Sequence, residues 1–382
     1  MEKAKQICCS CIMDTIQDET LQFDSNGMCS DCAQFYNSIE KKWNYGHGHE
    51  KELEKLLSKI KKSGKNKKYD CIIGFSGGMD SSYMLHMAVK EWGLRPLVIH
   101  IDSGFDMPVA INNVEKMVKK LGVDLFTEKI DREDFRNFQI ACFRTGLAGC
   151  LDYPQDHAFV SMIDEYAVKH KIKYILNGYN TSTEVIRNPK THSKNCGQGS
   201  DLVFIKDVLK KHSPAPLNHY SFTGIFRRKI VLPILKRVHI VQPLDLVPYV
   251  QKDIIDFLVK EYDYEPYGQK HFESLMTKFL EGYWLPKRFG FDVRVHQLSS
   301  LVLTKQMTRE EAIEIVSKPP VSEKEGKEMF REVSNKLGIS EDELNEYFNM
   351  PLWQNKYKTR NWMYTIGERF FFKIGKDKRI RK

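Results

Sequence analysis

From Tyr69 onward the chain alternates short apolar runs with amphipathic ones. The runs CIIGF (71–75), PLVIHID (96–102), LFTEKID (125–131) and YILNG (174–178) have the length and composition of buried strands. Residues 82–92, 109–121 and 157–170 separate them with apolar positions at helical spacing. Strands alternating with helices of this length predict right-handed βαβ units and a parallel sheet, which binds ligands beyond the carboxyl ends of its strands. Upstream, Leu53, Leu56, Leu57 and Ile60 predict an amphipathic helix ending at Ser63-Gly64. Residues 187–230, rich in Asn, Ser, His and Gly, predict a long irregular insertion on the substrate side. After Pro248 the texture is helical, and Thr308…Glu311, Ser322…Glu325 and Ser340…Glu343 are capping-box pairs before apolar-periodic runs.

The first 45 residues lack such periodicity and carry cysteines instead. The spacing Cys8-x2-Cys11-x17-Cys29-x2-Cys32 fits two knuckles closing on one tetrahedral thiolate site, with Asn26-Gly27 as a turn between them. Four thiolates leave no open position, so the expected ion is a structural Zn²⁺; an iron–sulfur cluster is the other reading of this spacing. Cys9 breaks the spacing, and Cys71, Cys142, Cys150 and Cys196 are scattered core or incidental residues. The expected organisation is a zinc knuckle over 1–45, a lysine-rich helical linker over 46–68, an ATP-binding domain over 69–247 and a mainly helical region over 248–382.

No apolar run approaches the roughly 18 residues of a membrane span, and MEKAKQICCSC lacks the apolar core of a signal peptide. Nine cysteines without an export signal indicate reduced thiols and a cytoplasmic protein. The net charge is +9. Residues 51–68 contribute eight lysines against Glu52 and Glu54, and residues 373–382 contribute six basic residues against Asp377. The excess therefore lies in a solvated helix and a tail, and a basic nucleic-acid-binding face is not indicated.

The chemistry centres on Ser76-Gly77-Gly78-Met79-Asp80-Ser81-Ser82, between the first strand and a helix. Glycines there let backbone amides turn inward as an anion nest, reinforced by the helix N-terminus and three serine hydroxyls. A P-loop would add a lysine for chemistry at the γ-phosphate, and this loop has none. A loop that grips the β- and γ-phosphates as one unit suits ATP cleavage between α and β, with Asp80 acting through Mg²⁺ or orienting the loop.

This segment resembles the PP-loop of the ATP pyrophosphatases, a fold of the HUP-like, adenine nucleotide alpha hydrolase-like kind. The resemblance implies nucleotide contacts from Phe75 through Ser82, from His100, Ile101 and Asp102 at the next strand end, and from Gly178-Tyr179-Asn180. "CCSCIMDT", "SGGMDSSYMLH", "YPQDHAF", "NGYNTSTE", "QKHFESLMTKF" and "FGFDVRVHQLSSL" occur in an order similar to the N-acetyl sugar amidotransferases of pseudaminic acid and surface-polysaccharide pathways. One departure is Asn177-Gly178-Tyr179-Asn180, where that group has a Thr-Gly-Gly-Asn type element. The resemblance implies conversion of a sugar acetamido group to an acetamidino group through an O-adenylyl intermediate, at the expense of ATP with Mg²⁺.

Proton transfer from the incoming ammonia needs a base, and Asp156, His157, Glu184 and the His271/Glu273 pair are the candidates. Asp292, Arg294 and His296 alternate on one side of an extended or loop segment that either faces an anionic sugar or forms a surface ion pair. The chain opens Met1-Glu2 and has no G-x-C-x-G elbow, so a glutaminase of its own is not expected. The resemblance implies a separate glutaminase subunit and a barrel-shaped partner like those of histidine biosynthesis. The competing reading is a tRNA-thiolating PP-loop enzyme, some of which also carry an N-terminal CxxC…CxxC knuckle.

Overall fold

The computed structural model describes residues 5–360; the basic run 373–382 lies outside them. Strands β1 (Cys71–Gly74), β2 (Pro96–Asp102), β3 (Leu125–Lys129), β4 (Tyr174–Leu176) and β5 (His239–Val241) form one parallel sheet in the order β3-β2-β1-β4-β5. β1 and β2 are buried almost throughout, as near-continuous apolar runs require in a sheet covered on both faces. The predicted α/β architecture is therefore present. The order reverses between β1 and β4, which makes the carboxyl ends of those two strands the switch point where a ligand crevice is expected.

Helices α1 (Glu50–Ser63), α2 (Met79–His86), α3 (Pro108–Leu121), α4 (Arg132–Phe143) and α5 (Tyr153–Lys169) precede β4. The lysine-rich α1 buries Ile60 and lays Leu53, Leu56 and Leu57 on the core formed by β1, α2 and α3, leaving its lysines outward. α2 begins at Met79, three residues before the apolar periodicity does, because Asp80 and Ser81 belong to its first turn. α4 was not predicted; Asp131 caps it by accepting from Asp134 N at 3.0 Å.

The 187–230 segment is less irregular than its composition implies. It contains α6 (Leu202–His212), capped by Asp201, which accepts from Val203 N at 3.0 Å. β5 was also missed, since three residues carry too little periodicity to register. Beyond it lie α7 (Gln251–Tyr262), α8 (Arg294–Leu303), α9 (Arg309–Val316), α10 (Glu323–Leu337) and α11 (Glu341–Asn349). Thr308, Ser322 and Ser340 each accept from the backbone N–H of the predicted glutamate, and Glu311 returns a bond to Thr308 N at 2.8 Å. No helix among the described residues is long and apolar enough to cross a membrane.

The cysteine knuckle packs on the far end of the chain. Phe35, Ile39 and Trp43 share a buried cluster with Val185, Ile186, Val295, Leu303 and Ala312. Arg309 donates to the carbonyls of Cys8 and Cys11, each at 2.9 Å, and Ile12 N donates to Ser299 Oγ at 3.3 Å.

Candidate active site

A cavity of about 510 Å³ opens at the switch point. Gly74 and Asn177–Tyr179 line it from the ends of β1 and β4, and Ser76, Gly78, Met79, Asp80 and Ser81 line it from the loop. The opposite wall is the irregular segment Tyr264 to Glu273, with Gln251 and Ile255 from α7.

The loop is folded as an anion nest requires. Gly77 has φ +77°, and a Cβ there would lie 2.4 Å from Ala110 O, so only glycine fits. A Cβ on Gly78 would lie 2.7 Å from Glu273 Oε1 and 3.1 Å from the Tyr267 hydroxyl. Met79 N donates to the Tyr267 hydroxyl at 3.2 Å, and Ser76 Oγ donates to Glu273 Oε1 at 3.3 Å. The other Glu273 oxygen is buried and has no hydrogen-bond partner.

Asp80 is the hub of the wall. It accepts from Asn180 Nδ2 at 3.1 Å and from the Tyr249 hydroxyl, and it pairs with Lys270 Nζ at 3.0 Å. Lys270 also donates to Glu184 at 2.6 Å and to Thr183 Oγ1 at 3.1 Å. Burial opposes the Lys270 charge, but Asp80 and Glu184 outweigh it and hold the ammonium above its ordinary pKa. Asn180 caps the short helix Thr181–Glu184, accepting from Thr183 N at 2.9 Å, and so fixes Asp80 and Glu184 relative to one another. Sequence reasoning missed Lys270, Tyr249 and Tyr267. The first lies within the quoted stretch QKHFESLMTKF, next to the histidine that was chosen.

The remaining predicted residues divide. Phe75, Gly77, Ser82 and Asn180 are buried behind the cavity wall and shape the loop rather than line it. His100 is not free for a nucleotide: its Nδ1 meets Phe75 O at 2.9 Å and its Nε2 meets Asp106 at 3.1 Å. Burial opposes its charge, yet the Asp106 bond raises its pKa. Asp102 accepts from Gly104 N at 2.7 Å, and it does not line the cavity either.

His157 is built into the fold instead of the site. Its Nδ1 meets Gly199 O at 2.8 Å, its Nε2 accepts from Thr223 N at 3.0 Å, and burial lowers its pKa. Arg294 begins a helix, not an extended or loop segment; its bidentate pair with Asp292 and its bonds to the carbonyls of Ile315 and Lys318 consume it structurally.

Glu184 and His271 line the cavity. His271 Nδ1 lies 3.1 Å from Glu281; burial opposes its charge, but Glu281 lifts its pKa to about 9. Asp156 is exposed to solvent yet surrounded by enough protein that burial raises its carboxyl to about 6, His271 opposing and Glu281 adding.

At the knuckle the Sγ separations are 3.7 Å (Cys8–Cys32), 3.9 Å (Cys11–Cys29) and 3.4 Å (Cys29–Cys32). A tetrahedron of thiolates about 2.3 Å from one ion has edges of about 3.8 Å, so these residues fit a single metal. All four are buried, and Cys9 is exposed and apart from them. Cys142, Cys150 and Cys196 prove not to be scattered: Cys150 contacts both others in the core.

A parallel sheet of this order with S-G-G-x-D-S at its switch point defines a PP-loop ATP pyrophosphatase fold. Residues 70–144 match the phosphoadenosine phosphosulfate reductase domain, and residues 273–370 match the LPS biosynthesis protein WbpG-like, C-terminal domain. The chain thus joins a PP-loop superfamily domain to a WbpG-like C-terminal domain. It is 29% identical over 130 residues to an uncharacterised protein of Methanocaldococcus jannaschii, covering 33% of this chain and 44% of that one. It is 27% identical over 152 residues to the glutamine-hydrolysing GMP synthase of Aliarcobacter butzleri, covering 38% and 27% respectively. The chain thus spans less than half the length of these curated relatives. Among solved structures, the NMN synthetase of Francisella tularensis aligns with a TM-score of 0.34 at 14% identity, over 69% of this chain and 96% of that one.

Proposed function

We propose that the chain is an ATP-dependent amidotransferase that converts the acetamido group of a bacterial surface sugar into an acetamidino group. The observation that carries this reading is the cavity at the switch point, walled on one side by the S-G-G-x-D-S nest and on the other by residues 264–273, the last of which, Glu273, opens the WbpG-like segment. The nest holds the β- and γ-phosphates through Ser76, Ser81 and inward amides, with the Lys270 ammonium supplying the cation that the loop lacks. Asp80 and Glu184 line the same cavity, and one or two such carboxylates together with the phosphates would hold Mg²⁺, which supplies charge neutralisation there.

The sugar amide oxygen attacks the α-phosphorus and pyrophosphate leaves, giving an O-adenylyl imidate. Ammonia then adds at the imidate carbon and AMP departs with the C–O bond pair. The protein contributes positioning and preorganised charge. The ammonia comes from a separate glutaminase, delivered through a barrel partner. The knuckle ion is a structural Zn²⁺, because three sulfur pairs in contact suit one ion better than thiolates spread over several irons.

The thiolation reading would draw support from cysteines at the nucleotide site. Cys142, Cys150 and Cys196 are buried in the core, and none lines the cavity. The deciding experiment incubates the protein with ATP, Mg²⁺, ammonium chloride and acetamido sugar acids or their nucleotide derivatives. AMP, pyrophosphate and a product that has exchanged O for NH are expected. ADP and phosphate, or sulfur transfer to tRNA with every sugar inert, would overturn the proposal.

A further inference from the structure

A second, much smaller cavity lies behind the first. It measures about 30 Å³, room for one or two water-sized molecules, and Gln17, Asp152, His192, Glu281, Asp292 and His296 supply its polar wall. Glu281 belongs to this wall, while His271, 3.1 Å from it, belongs to the wall of the large cavity. The His271–Glu281 pair is therefore the partition between the two.

The small cavity has the chemistry of a cation site. Glu281 is 92% buried, one oxygen is taken by His271, and the other has no partner. Asp152 and Asp156 lie within electrostatic reach of it, and burial together with this mutual repulsion raises the Asp152 pKa well above the carboxylate range. Burial lowers His192 to about 4 and His296 to about 3, so both imidazoles are neutral at physiological pH and offer lone pairs rather than charge. Asp292 is already neutralised by Arg294. A divalent metal does not fit, since among the described residues only the four knuckle cysteines bring ligand atoms close enough to share one ion.

We propose that this small cavity is the ammonium site of the chain, holding NH4⁺ against Glu281 one residue's thickness from the reaction cavity. The inference rests on the amidotransferase reading and adds to it the place where the nitrogen waits. Bound as NH4⁺, the nitrogen gives one proton to the free Glu281 oxygen. Its lone pair then forms the C–N bond at the imidate carbon, and AMP leaves with the electrons of the C–O bond. His271, protonated by its pairing with Glu281, cannot be the acceptor of that proton; it positions the carboxylate.

Two measurements test the site, the first of them separately from the reaction. In wild-type crystals soaked with rubidium chloride, an anomalous peak is expected in the small cavity and should vanish when ammonium chloride competes. An empty cavity, or a peak that ammonium does not displace, overturns the proposal whatever the enzyme catalyses. In kinetics of AMP release with ammonium chloride, Glu281→Gln should raise the ammonium KM about 10- to 100-fold, the worth of one charge-assisted hydrogen bond, while the KM for ATP stays within about twofold. His192→Leu, on the opposite wall and in a surface turn, should raise the ammonium KM in the same direction if Glu281→Gln fails to fold. An unchanged ammonium KM in a folded variant sinks the site but leaves the amidotransferase reading intact. A wild type that releases no AMP with any acetamido sugar sinks that reading, and the rubidium experiment still decides the cavity.

Discussion

Lys270 Nζ lies 3.0 Å from an Asp80 carboxylate oxygen, although nearly half the chain separates the two residues. The pair closes the nucleotide loop against the C-terminal region and stores a cation where phosphate charge would arrive. Lys270→Met should lower kcat/KM for ATP about 10²-fold or more, since a preorganised cation is lost from a buried site. Pyrophosphate release measures it, with circular dichroism as the check on folding. Turnover within a few-fold of wild type would remove Lys270 from the phosphate site.

Ser76→Ala and Asp80→Ala should also cut turnover heavily, with the loss mainly in kcat. Asp80 anchors Asn180, Tyr249 and Lys270, so its variant should further raise the KM for ATP, whereas Ser76→Ala should not. Equal KM effects in both would argue that Asp80 acts on phosphate alone.

Gly78→Ala tests how tightly the far wall meets the nest. Its Cβ would strike Glu273 Oε1, the end of a flexible side chain, so the fold should survive while ATP binding weakens. Glu273→Ala should restore part of that binding. Gly77→Ala differs, because its Cβ meets a backbone carbonyl at positive φ; about 2 kcal/mol or more of stability should disappear in denaturant titration.

The His271–Glu281 pair predicts a pH dependence. His271 titrates at about 9 in the folded chain against 6.5 ordinarily, so it binds its proton more tightly when folded. The stability it contributes is complete below about pH 6.5 and is lost as pH rises through about 9. Thermal melts should fall across that window, and less so in Glu281→Gln, whose His271 should titrate lower by NMR.

Cys29→Ser should abolish metal binding, read as one ion per chain lost in elemental analysis, and should lower Tm by several degrees. Because Ile186 N is bonded to Ser300 Oγ and shares the knuckle cluster, the disturbance should also appear in hydrogen exchange over α8 and residues 181–186. Protection loss confined to residues before 45 would contradict the packing described above.

The sequence shows what is local. S-G-G-M-D-S-S between an apolar run and a helix defines its loop without help, and two C-x-x-C turns define a thiolate site by spacing alone. It shows poorly what distant segments contribute. Tyr267 and Lys270 meet the loop only because the 264–273 segment, which has no periodicity, folds across it. His157 looks like a catalytic base and Arg294 like a sugar contact for the same reason: the carbonyls and amide that occupy them, Gly199, Thr223, Ile315 and Lys318, cannot be guessed from their neighbours. β5 is too short to carry a pattern and is placed by its pairing with β4.

The seating of the knuckle has a consequence for how the chain is made. A ribosome delivers Cys8 to Cys32 first and Val295, Leu303, Arg309 and Ala312 near the end. For most of synthesis the knuckle has its ligands but not its whole mate, and Val185 and Ile186 are the earliest residues from outside the N-terminal segment that can join the cluster of Phe35 and Trp43. A bound ion then adds the main restraint on the nascent N-terminus beyond its own turn hydrogen bonds, because neither the Arg309 staple nor the α8 contacts exist yet. Metal starvation during expression should therefore reduce the yield of native protein far more than chelation of the finished molecule reduces its stability.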